Sequence, residues 1–313
     1  MIVDLTTLLA EVDDDVAAVL KKNPSVTDKD ELDADGLPDA VGETWFRVPD
    51  VVAVFIDLQA STQLSVGKHP ASTAAIYRAA MKNAVKILHE FTADFLQVQG
   101  DGAFGLFWGE CAIERALCAG ITAKTFSRDS LEKRLAARWP EAPETGFKVG
   151  VAQGSVLVKK IGTPRNPNEQ EPIWAGKPVN YAAKAAQQAN RGELIVTGTV
   201  WLAIEGNDFL TVSCGHGVDG DGLSVLWEDV EVEKLTHDTD DAAGRLLKAC
   251  WCAECGPSYV EAILNGETDR PETDTAVSKS AGDTSNALEA ARFNDRRDRI
   301  ARKRGLTRVK RRR

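Results

Sequence analysis

The chain has 313 residues, of which 43% are hydrophobic and 27% charged, and its formal net charge is −9. Those proportions belong to a globular protein with a sizeable core, and no apolar run approaches the roughly 18 residues that a membrane-spanning helix needs. Met1-Ile2-Val3-Asp4 carries no basic segment, which argues against a signal peptide and for a cytoplasmic protein.

Residues 4 to 22 predict an amphipathic helix, with Leu5, Leu8, Leu9, Val12, Val16, Val19 and Leu20 near helical spacing. An acidic stretch with Gly36, Pro38 and Gly42 follows and is expected to lack regular structure. Val51–Ile56 is β-branched and predicts a strand that ends at Asp57. Pro70 opens a predicted helix to about Phe91. Asp94–Gln99 and Ala103–Trp108 form a predicted hairpin with Asp101 at its tip. A helix from about Cys111 to Phe126 precedes strands near Phe147–Ala152 and Ser155–Ile161. A helix over Pro178–Asn190 and a strand at Leu194–Thr197 complete the core, and Phe209–Val212 and Leu226–Val232 predict late strands. The order is β-α-β-β-α-β, a ferredoxin-like α+β layout with an antiparallel sheet covered by helices.

The expected divisions are an acidic helical segment (1–46), a catalytic unit (47–236), a cysteine-containing extension (237–267) and a disordered linker with a basic tail (268–313). Ala287–Arg313 holds twelve Lys and Arg against Glu289, Asp295 and Asp298, so the tail carries +9 and the remainder −18. Such a tail suits a solubilising end, a nucleic-acid arm or an arm lying on acidic surface. Phe293 is its one aromatic residue, which weakens specific RNA recognition.

Asp57 and Asp101 each adjoin an apolar, β-prone run, and two carboxylates at one sheet edge can hold divalent cations against a triphosphate. Five segments carry a resemblance: Val54–Thr62, Phe95–Gly102, Phe147–Gly154, Trp174–Lys184 and Gly192–Thr197. In this order, over roughly residues 48 to 205, the chain resembles the class III nucleotidyl cyclases. That resemblance implies that Asp57, Asp101 and the carbonyl of Leu58 hold two Mn²⁺ or Mg²⁺ ions. Ala60, Ser61 and Thr62 follow Asp57 where the chain turns toward a helix, and backbone amides at such a turn suit phosphate oxygens.

Asn180 and Lys184 stand four apart on one helix face. The resemblance makes Asn180 the residue that orients the ribose. Lys184 falls where the family carries an arginine that stabilises the transition state, and a lysine keeps the charge but loses the bidentate fork. Either Lys184 serves as a point charge, or another cation such as Arg165 or Lys177 helps. The metal aspartates and the Asn/Lys helix come from different subunits in this family, which implies an obligate homodimer.

Base-reading positions depart from the purine cyclases. The place four residues before the second metal aspartate is Lys for adenine or Glu for guanine, and here it is Gln97. The second such place falls on Ile173, or on Pro172 if the alignment slips by one. Gln97 offers both a donor and an acceptor, suited to the O4/N3–H edge of uracil and less discriminating for cytosine. The pattern resembles the pyrimidine cyclases of bacterial anti-phage (Pycsar) systems. It implies UTP as substrate and cyclic UMP as an antiviral second messenger. A cytidylate cyclase, an adenylate cyclase with an unusual base pocket and a catalytically dead nucleotide-binding module remain as alternatives.

Six cysteines in a cytosolic chain argue against a disulfide framework. Cys252 and Cys255 have the C-x₂-C spacing of a Zn²⁺ half-site, which Cys214 and His216 could complete across about forty residues, but buried free thiols are the preferred expectation.

Overall fold

The computed structural model describes residues 3–29, 32–33, 36–64, 69–163, 166–216 and 223–273. The basic tail and Arg165 lie outside them. Asp4 caps α1 (Leu5–Leu20) by accepting from the amides of Thr6 and Thr7. No residue of α1 is buried, and Leu5, Leu9, Val12, Val16 and Val19 are all at least half exposed.

The acidic stretch is more ordered than expected. β1 (Ser25–Asp28) pairs in parallel with the start of β2 (Thr44–Leu58), and Leu32 and Leu37 join the core. Arg47 secures this edge through a two-pronged bond to Asp28, at 2.5 and 2.7 Å. β2 is longer than the expected Val51–Ile56 because its ladder with β5 resumes on both sides of a bulge between Val48 and Val51, where Asp50 takes a φ of 50°.

After α2 (Ser61–Leu64), α3 (Pro70–Glu90) starts at Pro70 as expected and buries Ile76, Ala80, Ala84 and Leu88. The hairpin of β3 (Phe95–Gln99) and β4 (Gly102–Phe107) follows. α4 (Ala112–Phe126) runs through a π-helical turn into α5 (Glu132–Arg138). β5 (Phe147–Gly162) is one 16-residue strand where two were expected. β6 (Gln170–Gly176), α6 (Lys177–Gln188), β7 (Leu194–Val196) and α7 (Gly198–Ile204) come next.

The first expected late strand is instead a helical turn, α8 (Asp208–Thr211), because Asn207 caps it and leaves only Val212 to bridge Val225. β8 (Trp227–Glu231) matches expectation, and α9 (Thr239–Ala242) leads into β9 (Ala243–Leu247). α10 (Gly256–Leu264) ends the series.

The architecture is α+β. The central strands run β3-β4-β2-β5-β7-β9-β8, with β1 added to β2 and β6 to β5. Most pairings are antiparallel, but β1·β2 and β5·β7 are parallel. β9 corrects the expected boundary at 236, since it lies between β7 and β8 and completes the sheet. Helices cover both faces: α3 and α4 pack against Val54, Ile56, Val149 and Val151, and α6 packs against Ala53, Ala152 and Val156. The expected linker from 268 is described only to residue 273, and the rest of it lies outside the described residues. Arg270 is 2% exposed, donates to the carbonyls of Val212 and Ser213, and lies over the Tyr259 ring.

Candidate active site

Residues paired across an antiparallel ladder project to the same sheet face. Gln99, Gly102, Asp57 and Lys148 form one such row across β3, β4, β2 and β5. Gln97, Phe104, Phe55 and Gly150 form the next. Gln97 therefore shares a face with Asp57, one pleat step away and two strands over. Asp101 precedes Gly102, the register partner of Asp57, so the two carboxylates sit at neighbouring strand ends. Within the second row, Phe55 and Phe104 stack with ring centroids 6.3 Å apart and form an apolar floor.

Asp57 is held by a residue that sequence reasoning missed. Lys148 Nζ lies 2.7 Å from Asp57 Oδ2, with side-chain exposures of 16% and 22%. The signal available was one lysine in the otherwise apolar run Phe147–Ala152, and only the register with β2 makes it informative.

The turn after Asp57 is fixed on both sides. Gln59 donates its amide to Gly146 O at 2.9 Å and accepts from Thr145 Oγ1 at 2.5 Å. Ala60 adopts a left-handed φ of 58°, uncommon for a residue with a Cβ, and its carbonyl accepts from the Gln63 and Leu64 amides. Ser61 is buried and Thr62 exposed. Leu58 packs its side chain into the core at 2% exposure, so only its backbone is available to a ligand.

α6 buries Pro178, Tyr181, Ala182, Ala185 and Ala186. Asn180 and Lys184 fall on its opposite side, Asn180 exposed and Lys184 half-buried. Asn180 Nδ2 donates to Gly176 O at 3.2 Å, and Lys184 Nζ sits 5.5 Å from the Tyr181 ring centre. Among the described residues neither bonds to Asp57 or Asp101. Lys177, expected as an auxiliary cation, is engaged elsewhere. Its ammonium is 2.5 Å from Asp238, which raises its pKa and holds the Asp238 carboxyl below the usual range. Tyr181 Oη also donates to Asp238, at 3.1 Å.

Ile173 lies on β6, paired with Lys159 of β5. It faces outward at 44% exposure, while its neighbour Trp174 packs on Phe95 with centroids 4.8 Å apart. Cys118 matches the expectation of a buried thiol, but Cys252 and Cys255 do not. They are half-buried and gathered with Cys214 and His216.

The chain is 48% identical over 296 residues to a uridylate cyclase of Propioniciclava tarda, covering 93% of this chain and 94% of that one. It is 46% identical over 306 residues to a uridylate cyclase of Micromonospora echinofusca, with 97% and 99% covered. No family model matches. Among solved structures, the adenylyl cyclase CyaB of P. aeruginosa is similar at 17% identity and a TM-score of 0.47, over 51% of this chain and 82% of that one. The guanylyl cyclase Cya2 is similar at 18% identity and a TM-score of 0.44, over 56% and 89%. Identity to curated relatives over nearly the whole chain defines a nucleotidyl cyclase. The chain belongs to the uridylate cyclase family.

Proposed function

We propose that this chain converts UTP to 3′,5′-cyclic UMP and pyrophosphate. The near-full-length identity to uridylate cyclases carries the reading, and the shared sheet face of Asp57 and Gln97 supports it. Asp57, Asp101 and the Leu58 carbonyl are the residues that would hold two Mn²⁺ or Mg²⁺ ions. Their donors are hard oxygens, and Asp57 stays partly open to solvent, so they fit such cations. When bound, the ions neutralise the triphosphate and make the ribose 3′-hydroxyl more acidic.

The chain's own groups then position the reaction. The amides of Ala60, Ser61 and Thr62 meet phosphate oxygens, and Gln97 reads the uracil edge, with Ile173 closing over the ring. Asn180 orients the ribose and Lys184 places positive charge against the α-phosphate. The 3′-oxygen attacks the α-phosphorus, the bond to the bridging oxygen breaks, and pyrophosphate leaves.

Asn180 and Lys184 point away from their own sheet, which supports a homodimer whose sites combine the carboxylates of one copy with α6 of the other. No helix among the described residues is long and apolar enough to cross a membrane, and we place the enzyme in the cytoplasm. A second-messenger role in anti-phage defence rests on the resemblance to Pycsar cyclases.

The test is incubation of the purified protein with each of the four ribonucleoside triphosphates and Mn²⁺, with products identified by mass. Cyclic UMP that disappears in Asp57→Ala is the expected result. Cyclic CMP or cyclic AMP as main product overturns the uracil assignment, and no product from any triphosphate overturns the enzymatic one.

A further inference from the structure

Cys214, His216, Cys252 and Cys255 converge from two segments that are far apart in sequence. Their ligand atoms all lie within 4.8 Å of one another. His216 Nδ1 is 3.1 Å from Cys255 Sγ and 3.9 Å from Cys252 Sγ. Around a tetrahedral ion with metal–sulfur bonds of about 2.3 Å, ligand sulfurs stand about 3.8 Å apart. The four groups therefore need to close by about an ångström at most. All of the cysteines are free thiols. The C-x₂-C turn is closed by the Gly256 amide, which donates to Cys252 O at 2.8 Å.

We propose that these four residues hold one structural Zn²⁺ ion in a Cys₃His site. Three soft thiolates and an imidazole in tetrahedral reach select zinc over the hard cations suited to Asp57 and Asp101. Four protein ligands leave no open position, so the site is structural. Its place in the fold agrees with that. Trp251, just ahead of Cys252, donates from Nε1 to Thr122 Oγ1 at 2.9 Å and from its amide to Thr125 Oγ1 at 3.1 Å, both on α4. α10, which starts right after Cys255, also packs on the α4 face, whereas Asp57 and Gln97 face the α6 layer. Cys214 follows α8, whose exit carbonyls are held by Arg270. The ion joins the segment after α8 to the turn before α10, and so fastens the C-terminal extension to the catalytic sheet.

The test is elemental analysis of the full chain, purified without a metal-affinity tag or chelator. One zinc per chain is expected, retained in Asp57→Ala and lost in the double variant Cys252→Ser/Cys255→Ser. Replacement by Co²⁺ should give visible ligand-field bands with thiolate-to-cobalt charge transfer. Wild-type protein that contains no zinc and takes up none from added Zn²⁺ overturns the proposal without any variant having to fold. So does a native mass two hydrogens short, which marks a disulfide. Zinc that leaves with Asp57→Ala, not with the cysteines, would assign the metal to the catalytic carboxylates. Metal content is read without turnover, so this result stands apart from the nucleotide assay.

Discussion

Lys148 Nζ and Asp57 Oδ2 stand 2.7 Å apart on adjacent strands, paired directly across the β2–β5 ladder. The carboxylate assigned to metal thus has a cationic neighbour built into the sheet, and a divalent ion must share or displace it. Lys148→Met removes the competitor. The Mn²⁺ concentration for half-maximal activity should fall by about two- to fivefold, as expected for a partly exposed ion pair. A metal titration checks this. A rise in that concentration, or a selective rise in the KM for the triphosphate, would assign Lys148 to the phosphates instead.

Division of the site between two copies predicts complementation. Asp57→Ala and Lys184→Ala should each be inactive alone. Mixed after co-expression, random pairing gives half heterodimers with one intact site of two, so about a quarter of wild-type activity should return. Activity that stays at background would show that both residues serve the same site.

Gln97 lies one pleat step from Asp57 on the same face, too far along the sheet to serve as a metal ligand. Gln97→Leu should lower kcat/KM for UTP by about 10- to 100-fold, the cost of unpaired polar groups on a buried base. Its Mn²⁺ dependence should stay unchanged. Steady-state kinetics at several Mn²⁺ concentrations separate the two effects.

Gly150 is where α6 meets the sheet. A Cβ there would come 2.0 Å from Ala182 O and 2.4 Å from Ala186 N, both backbone atoms of α6. Gly150→Ala should destabilise the fold by about 3 kcal/mol or more. It should also reduce activity in whatever fraction stays folded, since α6 carries Asn180 and Lys184. Thermal melts and turnover per folded molecule check both.

Lys124 is fully buried, with Nζ 3.0 Å from Leu247 O, and burial drags its ammonium pKa down from 10.5 to about 8. Between those values the unfolded chain binds more protons than the folded one. Stability should therefore rise from about pH 8 to about pH 10.5, by roughly 3 kcal/mol, and Lys124 should contribute no slope below pH 8. Denaturant melts across that range should show the rise in wild type and lose it in Lys124→Met.

Periodicity and punctuation made much of this fold legible. Pro70 marked α3, Gly100-Asp101-Gly102 marked the β3–β4 turn, and the spacing of Tyr181, Ala182 and Ala185 fits the buried face of α6. β9 left no such trace. Ala243-Gly244-Arg245-Leu246-Leu247 has only two large apolar residues, and it is a strand because β7 and β8 flank it. Residues 208–211 show the reverse: Phe209 and Leu210 suit a strand, but the Asn207 cap turns them into a helix. Asp57, Asp101 and Gln97 could be singled out from local motifs. Cys214 and His216 could be named only as a possible completion of the Cys252/Cys255 half-site, and Lys148 not at all, because each gains meaning only from a partner distant in the chain.

β9 also dictates an order of assembly. β7 is three residues long and lies between β5 and β9, yet β9 leaves the ribosome some fifty residues after it. Until then the nascent chain presents an open, apolar strand edge at Leu194–Val196, of the kind that recruits other chains. Asp57 and Asp101 are synthesised early, but the sheet that holds them closes only when a segment from near the far end of the described chain arrives.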